Sequence, residues 1–268
     1  MKTTEQNSLY DRLEQRSTLE LLESINREDA KVALAVQAQI PAIAAFVEEL
    51  VERMSQGGRL FYIGAGTSGR LGILDASECP PTFGVDPSLV VGLIAGGDGA
   101  IRKAVESAED RWDGAWEDLA VHTPTPLDTL VGIAASGTTP YVIGGVQRAR
   151  SEGLLTACIT CNLGSPLARE SAHPIEVVVG PEFVTGSTRM KSGTAQKMVL
   201  NMISTAAMIR MGRVRGNKMV DMKLSNAKLV ERGTRMIVEA TALDAEEAKK
   251  LLFTHGSVRA AIDAYGRK

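Results

Sequence analysis

Residues 58–84 read Gly-Arg-Leu-Phe-Tyr-Ile-Gly-Ala-Gly-Thr-Ser-Gly-Arg-Leu-Gly-Ile-Leu-Asp-Ala-Ser-Glu-Cys-Pro-Pro-Thr-Phe-Gly. The short apolar run Leu60 to Ile63 predicts a fully buried strand. It stops at Gly64, and Gly64, Gly66 and Gly69 make a bare, bendable loop that also carries the hydroxyls of Thr67 and Ser68. Leu71, Ile73 and Leu74 then open a helix pattern, expected to break at Pro80-Pro81. Strand, glycine loop and helix start is the arrangement that turns backbone N–H groups toward an anion.

The loop satisfies G-x-G-x-x-G, so a dinucleotide fold has to be weighed. No Gly-Lys-Ser/Thr follows, which excludes a Walker loop. Against a dinucleotide, hydroxyl-rich loops recur. Residues 131–140 read Val-Gly-Ile-Ala-Ala-Ser-Gly-Thr-Thr-Pro, a buried strand leading into a Ser/Thr/Gly loop and a helix start. Residues 184–194 read Val-Thr-Gly-Ser-Thr-Arg-Met-Lys-Ser-Gly-Thr, a third cluster ahead of a helix. Helix capping explains any one of them. Three together suit a phosphate monoester, whose acceptor oxygens need several short donors.

Outward from these loops, apolar strands alternate with helices. Strands are expected at 60–63, 90–95, 129–135, 154–160 and 175–179, with helices at 68–77, 98–119, 139–152 and 166–172. Such alternation predicts a parallel sheet covered on both faces, with ligands bound beyond the carboxyl ends of its strands. Ahead of the sheet, residues 1–16 are polar and expected to be frayed or loosely docked. Ser17-Thr18-Leu19-Glu20 caps a short helix, and a long helical pattern runs from Asp29 to Gly57, with Pro41 as a break or new first turn. After the sheet come a Met-rich apolar helix at 190–211 and a charged, all-helical tail. The reading gives an N-terminal helical segment at 1–45, a sheet domain at 46–215 and a helical bundle at 216–268.

Composition narrows the function. Thirty Lys and Arg against 32 Asp and Glu leave a net charge of −2, which offers no basic footprint for nucleic acid. No apolar run reaches the length of a membrane span, and the N-terminus lacks an apolar signal core. A cytoplasmic protein without nucleic-acid or membrane partners is expected. Cys158 and Cys161 form C-x-x-C, but they lie in an apolar strand pattern with no helix directly after the first, so they read as small buried hydrophobes.

The three histidines, His122, His173 and His255, all lie outside the hydroxyl loops, and neither a zinc cluster nor a G-x-S-x-G elbow is present. Proton transfer therefore falls to carboxylates. Glu78 precedes the rigid turn Cys79-Pro80-Pro81. Glu109 and Glu106 sit three residues apart in the expected 98–119 helix, on nearly one face. Residue chemistry alone leaves those two open.

The block Gly-Ala-Gly-Thr-Ser-Gly-Arg-Leu-Gly-Ile-Leu-Asp-Ala-Ser-Glu-Cys-Pro-Pro-Thr resembles the signature of the N-acetylmuramic acid 6-phosphate etherases, a family built on the sugar isomerase (SIS) domain. Residues 94–97, 104–110, 134–142, 184–197 and 216–222 match as well, so the likeness runs from about Ser17 to near the C-terminus. It implies a three-layer αβα domain with a five-stranded parallel sheet and a small C-terminal bundle of ubiquitin-associated (UBA-like) type. Typical members carry one further helical segment. It implies cleavage of the D-lactyl ether of N-acetylmuramic acid 6-phosphate to N-acetylglucosamine 6-phosphate and D-lactate, with no metal or organic cofactor, by a homodimer. It aligns Glu109 with the family's base and Glu78 with its acid. The phosphate would be held by Thr67, Ser68, Ser136, Gly137, Thr138 and Thr139, with Ser187 and Thr188 beside them and Lys191 and Arg189 as helpers. Two SIS alternatives are a non-catalytic sugar-phosphate sensor of glucokinase-regulator type and an aldose–ketose isomerase. The third alternative is the dinucleotide enzyme.

Overall fold

The computed structural model describes residues 2–224 and 226–266. The chain divides into two compact units, residues 1–76 with 88–207, and residues 77–87 with 208–268.

The first unit is built on five parallel strands: β1 (Leu60–Gly64), β2 (Val90–Ile94), β3 (Thr129–Ile133), β4 (Leu155–Thr160) and β5 (His173–Glu176). Their spatial order is β2-β1-β3-β4-β5, in register Leu60↔Val90, Leu60↔Thr129, Thr129↔Leu155 and Ala157↔His173. All five overlap the strands expected from the sequence, the fifth running from His173 to Glu176 rather than over 175–179. Every residue of β1, β3 and β4 is buried, as unbroken apolar runs in a doubly covered sheet should be. Side chains alternate across the sheet. Phe61 and Ile63 join a core with Tyr141, Val142 and Val146 of α7 (Pro140–Ser151) and Ala115 and Leu119 of α6 (Gly114–Ala120). Tyr62 faces the other way, onto α4 (Gly66–Phe83), where Gly72 packs against its Cβ. The remaining helices of this unit are α1 (Thr18–Asp29), α2 (Val32–Gln37), α3 (Ile40–Ser55), α5 (Gly99–Arg102), α8 (Pro166–Glu170) and α9 (Lys191–Arg210), which continues into the second unit. Ser17 and Glu20 cap α1 reciprocally, and Pro41 opens the first turn of α3.

Two expectations are corrected, and one left between alternatives is decided. α4 does not break at Pro80-Pro81 but runs through both to Phe83. The single helix expected over 98–119 is α5, a 3₁₀ turn at Glu106–Asp110, and α6. Here Arg70 of α4 donates Nη2 to the Ala100 carbonyl and Nε to that of Ile101, both at 2.8 Å. A continuous helix would give those carbonyls to residues 104 and 105. Finally, residues 2–16 are docked rather than frayed. Thr4 is buried against Asn162, Ser8 Oγ donates to the Phe183 carbonyl, and the Tyr10 ring packs on Phe183.

The second unit is a bundle of α10 (Ala227–Thr241), α11 (Ala245–His255) and α12 (Val258–Tyr265), capped by Asn226, Asp244 and Ser257. Its core is Val220, Met222, Ile237, Ala248, Leu252, Val258 and Ala261. Residues 77–87 belong to it through the Pro81 carbonyl, which accepts from Lys223 N, and through Gly84, where a Cβ would lie 2.0 Å from the Asp221 carbonyl oxygen. All three cysteines are buried thiols, and burial pushes those of Cys158 and Cys161 up to about 12. That is the inert, packing role expected of them. No single described helix is long and apolar enough to cross a membrane.

Candidate active site

The strand order locates the site. From β1 the chain crosses to β2 on one side and then to β3 on the other, so the order reverses between β1 and β3. The loops leaving those two strands diverge there and open a crevice. A cavity of about 260 Å³ occupies it, lined by Thr67 and Ser68 in the first turn of α4, Ser136 and Thr139 after β3, Thr188 ahead of α9, and Glu5 and Glu109. A smaller cavity of about 170 Å³ shares Ala65, Gly66 and Glu109 with it and adds Arg70.

The glycines of the first loop serve packing between β1 and α4. A Cβ on Gly69 would lie 2.7 Å from the Gly64 carbonyl oxygen and 2.6 Å from Ile94 Cγ1. The helix thus starts hard against the strand, presenting its N-terminal amides at the crevice. In the second loop Gly137 has φ +67°, and a Cβ there would strike the Ser165 hydroxyl at 2.3 Å. Only glycine fits that position.

Capping does not account for the hydroxyls. Thr139 is the N-cap residue of α7 yet makes no side-chain capping bond. At α9 the capping is done by Glu182, wholly buried, whose carboxylate accepts from the N–H groups of Lys191 and Ser192 at 2.9 Å each. Thr138 lies outside the lining of the 260 Å³ cavity, and its Oγ1 donates to Ser136 Oγ at 3.0 Å while accepting from Lys2 Nζ at 3.1 Å. Gly137 is buried behind it, and Ser187 is half-buried and not among the lining residues. Lys191 is also placed elsewhere: its side chain is 1% exposed and its ammonium donates to Glu28 at 2.7 Å. Arg189 is exposed. Glu109 lies on the 3₁₀ turn rather than on a helix, and it lines both cavities. Glu78 is exposed on the later part of α4 and belongs to the second unit.

Several residues escaped the sequence reading. Gln196 of α9 is buried and accepts from the Ser68 hydroxyl at 3.0 Å, while its own Nε2 is buried without a partner. A buried polar residue on an otherwise apolar helix face was the signal for it. Asn162, at the end of the fourth strand, donates Nδ2 to the Thr4 hydroxyl and to the Ser136 carbonyl, joining the N-terminal segment to the second hydroxyl loop. Lys2, Asn162, Ser165 and Arg169 line a further cavity of about 420 Å³ that shares Ser136. Glu5 carried no signal in its neighbourhood. Asp75 is buried too; burial raises its pKa against hydrogen bonds from Tyr62 and Ser204.

The parallel sheet and the hydroxyl-lined cleft at its switch point are those of an SIS domain. The SIS family profile matches residues 117–206, and that of the glucokinase regulatory protein N-terminal SIS domain matches residues 42–150. Among solved structures, a phosphoheptose isomerase from Francisella tularensis superposes with a TM-score of 0.55 at 17% identity, over 72% of this chain and 98% of that one. Another, from Neisseria gonorrhoeae, gives 0.54 at 15%, over 71% and 98%. These likenesses concern the fold. The chain is 64% identical over its whole length to an N-acetylmuramic acid 6-phosphate etherase of Porphyromonas gingivalis, spanning 97% of that protein. It is 63% identical to one of Bacteroides fragilis (99% and 94% covered) and 57% identical to one of Salmonella agona (90% and 81% covered). The chain belongs to the N-acetylmuramic acid 6-phosphate etherase family.

Proposed function

We propose that this protein cleaves the D-lactyl ether of N-acetylmuramic acid 6-phosphate with water, giving N-acetylglucosamine 6-phosphate and D-lactate. The observation that carries the reading is that Glu109 lines the same cavity as the hydroxyls of three separate loops. That combination puts a proton acceptor and a phosphate grip on one small molecule. Thr67, Ser68, Ser136, Thr139 and Thr188 donate to the phosphate, with the Lys2–Thr138–Ser136 chain adding a cation behind it. Binding energy from that remote group positions the reacting carbons.

In the open-chain sugar the C1 aldehyde acidifies the C2 proton. Glu109 removes it, and the C3–O bond to lactate breaks as a C2–C3 double bond forms. The family resemblance, rather than the cavity lining, assigns to Glu78 the proton that the departing ether oxygen takes. Water then adds at C3 and a proton returns to C2, so the carbonyl is the electron sink throughout. The protein works as a cytoplasmic homodimer under this reading, which light scattering at twice 28.6 kDa checks. Incubation with the substrate should release D-lactate. Glu109→Gln and Glu78→Gln should each lower that rate by about 10²–10⁴-fold while N-acetylglucosamine 6-phosphate still binds. Full activity in both variants sinks the assignment of the carboxylates, and no lactate from the parent protein sinks the reaction.

A further inference from the structure

We propose that Glu5 touches the substrate, binding the hydroxyl and amide end of the sugar and so favouring a sugar phosphate over phosphate alone. The inference rests on the sugar-phosphate reading above. Glu5 lines the cavity that also holds Glu109, Ser68 and Ser136, although it lies more than a hundred residues from Glu109 in sequence.

Its position is fixed rather than accidental. Glu5 closes a 3₁₀ turn, Thr3–Glu5. Its neighbour Thr4 is 1% exposed and pairs with Asn162 in both directions, Thr4 N to Oδ1 at 3.2 Å and Nδ2 to Thr4 Oγ1 at 2.9 Å. The same Asn162 amide donates to the Ser136 carbonyl at 3.0 Å. One buried side chain therefore sets both the Glu5 turn and a hydroxyl loop. On the other side, Ser8 Oγ donates to the Phe183 carbonyl at 2.7 Å, and Thr185 Oγ1 accepts from Ser8 N at 2.9 Å. The segment is tied down before and after the glutamate.

The chemistry gives the ligand end. An ionised carboxylate only accepts hydrogen bonds, and so does a phosphate dianion. Glu5 therefore repels the phosphate and must face donors. The substrate's donors are its hydroxyls and its acetamido N–H, and bonds from these to a carboxylate are charge-assisted. The cavity lining thus offers two kinds of partner, hydroxyl donors that suit the phosphate and carboxylate acceptors that suit the sugar. Inorganic phosphate meets the repulsion without the compensating bonds.

Calorimetric titration of the intact protein tests this with N-acetylglucosamine 6-phosphate and, separately, inorganic phosphate. Glu5→Gln should weaken the sugar phosphate about tenfold and tighten inorganic phosphate. A Thr4→Val variant, which loosens the turn itself, should weaken both. Opposite shifts in Glu5→Gln carry the proposal. Shifts in the same direction, or none, overturn it and leave Glu5 as part of the segment's docking. Because the readout is binding, a failure to release lactate would defeat the etherase reading without silencing this test.

Discussion

Lys191 shows how a side chain placed in a phosphate-binding loop by sequence can be committed elsewhere by burial. Its ammonium and the Glu28 carboxylate are 1% and 3% exposed and 2.7 Å apart. Tyr10 and Lys31 also donate to Glu28. Burial opposes the Glu28 charge, but the hydrogen bonds from Lys191, Lys31 and Tyr10 and the charge of Lys191 outweigh it and hold the carboxyl down to about 2. Lys191→Met should leave that carboxylate buried without its main partner and lower stability by about 3–5 kcal/mol in urea unfolding. The double variant with Glu28→Gln should recover most of the loss. A pH effect follows with a definite sign. The folded value lies below the ordinary 4.5, so the contribution is fully present above pH 4.5 and lost as pH falls toward 2. It is on the order of 3 kcal/mol. The stability gap between the parent protein and Glu28→Gln should therefore narrow steadily through that window. Asp75, whose pKa burial raises, works in the opposite sense, and the paired comparison cancels it. At the same scale, the Ser68 proton points at Gln196. Half a turn of that amide would donate Nε2 to Ser68 and release its proton to a phosphate.

At the scale of elements, the start of α4 fixes the cleft. Gly69→Ala must push the helix off β1 or displace Ile94. It should cost about 1–3 kcal/mol, read as a lower urea midpoint, and weaken phosphate binding by moving Thr67 and Ser68. The five strands and the three hydroxyl loops were legible because each rests on a local apolar run and its terminating residues. The continuation of α4 was not. Pro80 and Pro81 cannot donate to the carbonyls four residues back, which predicts a stop. Contacts of residues 77–87 within their own unit, at Lys223 and Asp221, hold those last turns instead. The broken helix after β2 escaped for a similar reason. Its interruption comes from Arg70, some thirty residues earlier, and periodicity within the segment carries no trace of it.

On the scale of the whole molecule, topology decides which loops meet. Parallel strands need crossovers, and the observed order β2-β1-β3 makes the loops after β1 and β3 diverge at the switch point and open the crevice there. Alternation argued the parallel sheet and a site beyond its carboxyl ends, but not the order of the strands. The docking of residues 2–16 could not be argued either, because Thr4 and Asn162 are 158 positions apart and neither stands out beside its neighbours. A site assembled from the first turn of α4, the loop after β3, the loop before α9 and the N-terminal segment should respond to ligand as one body. N-acetylglucosamine 6-phosphate at a hundred times its Kd should add about 2.7 kcal/mol to the stability of the sheet-bearing unit. The corresponding rise in its Tm is roughly 5–10 °C. Unphosphorylated N-acetylglucosamine at the same concentration should move Tm far less, since it leaves the hydroxyl loops without their anion. Equal shifts from the two sugars in a thermal scan would mean that the three loops do not bind phosphate, and the cavity at the switch point would then need another occupant.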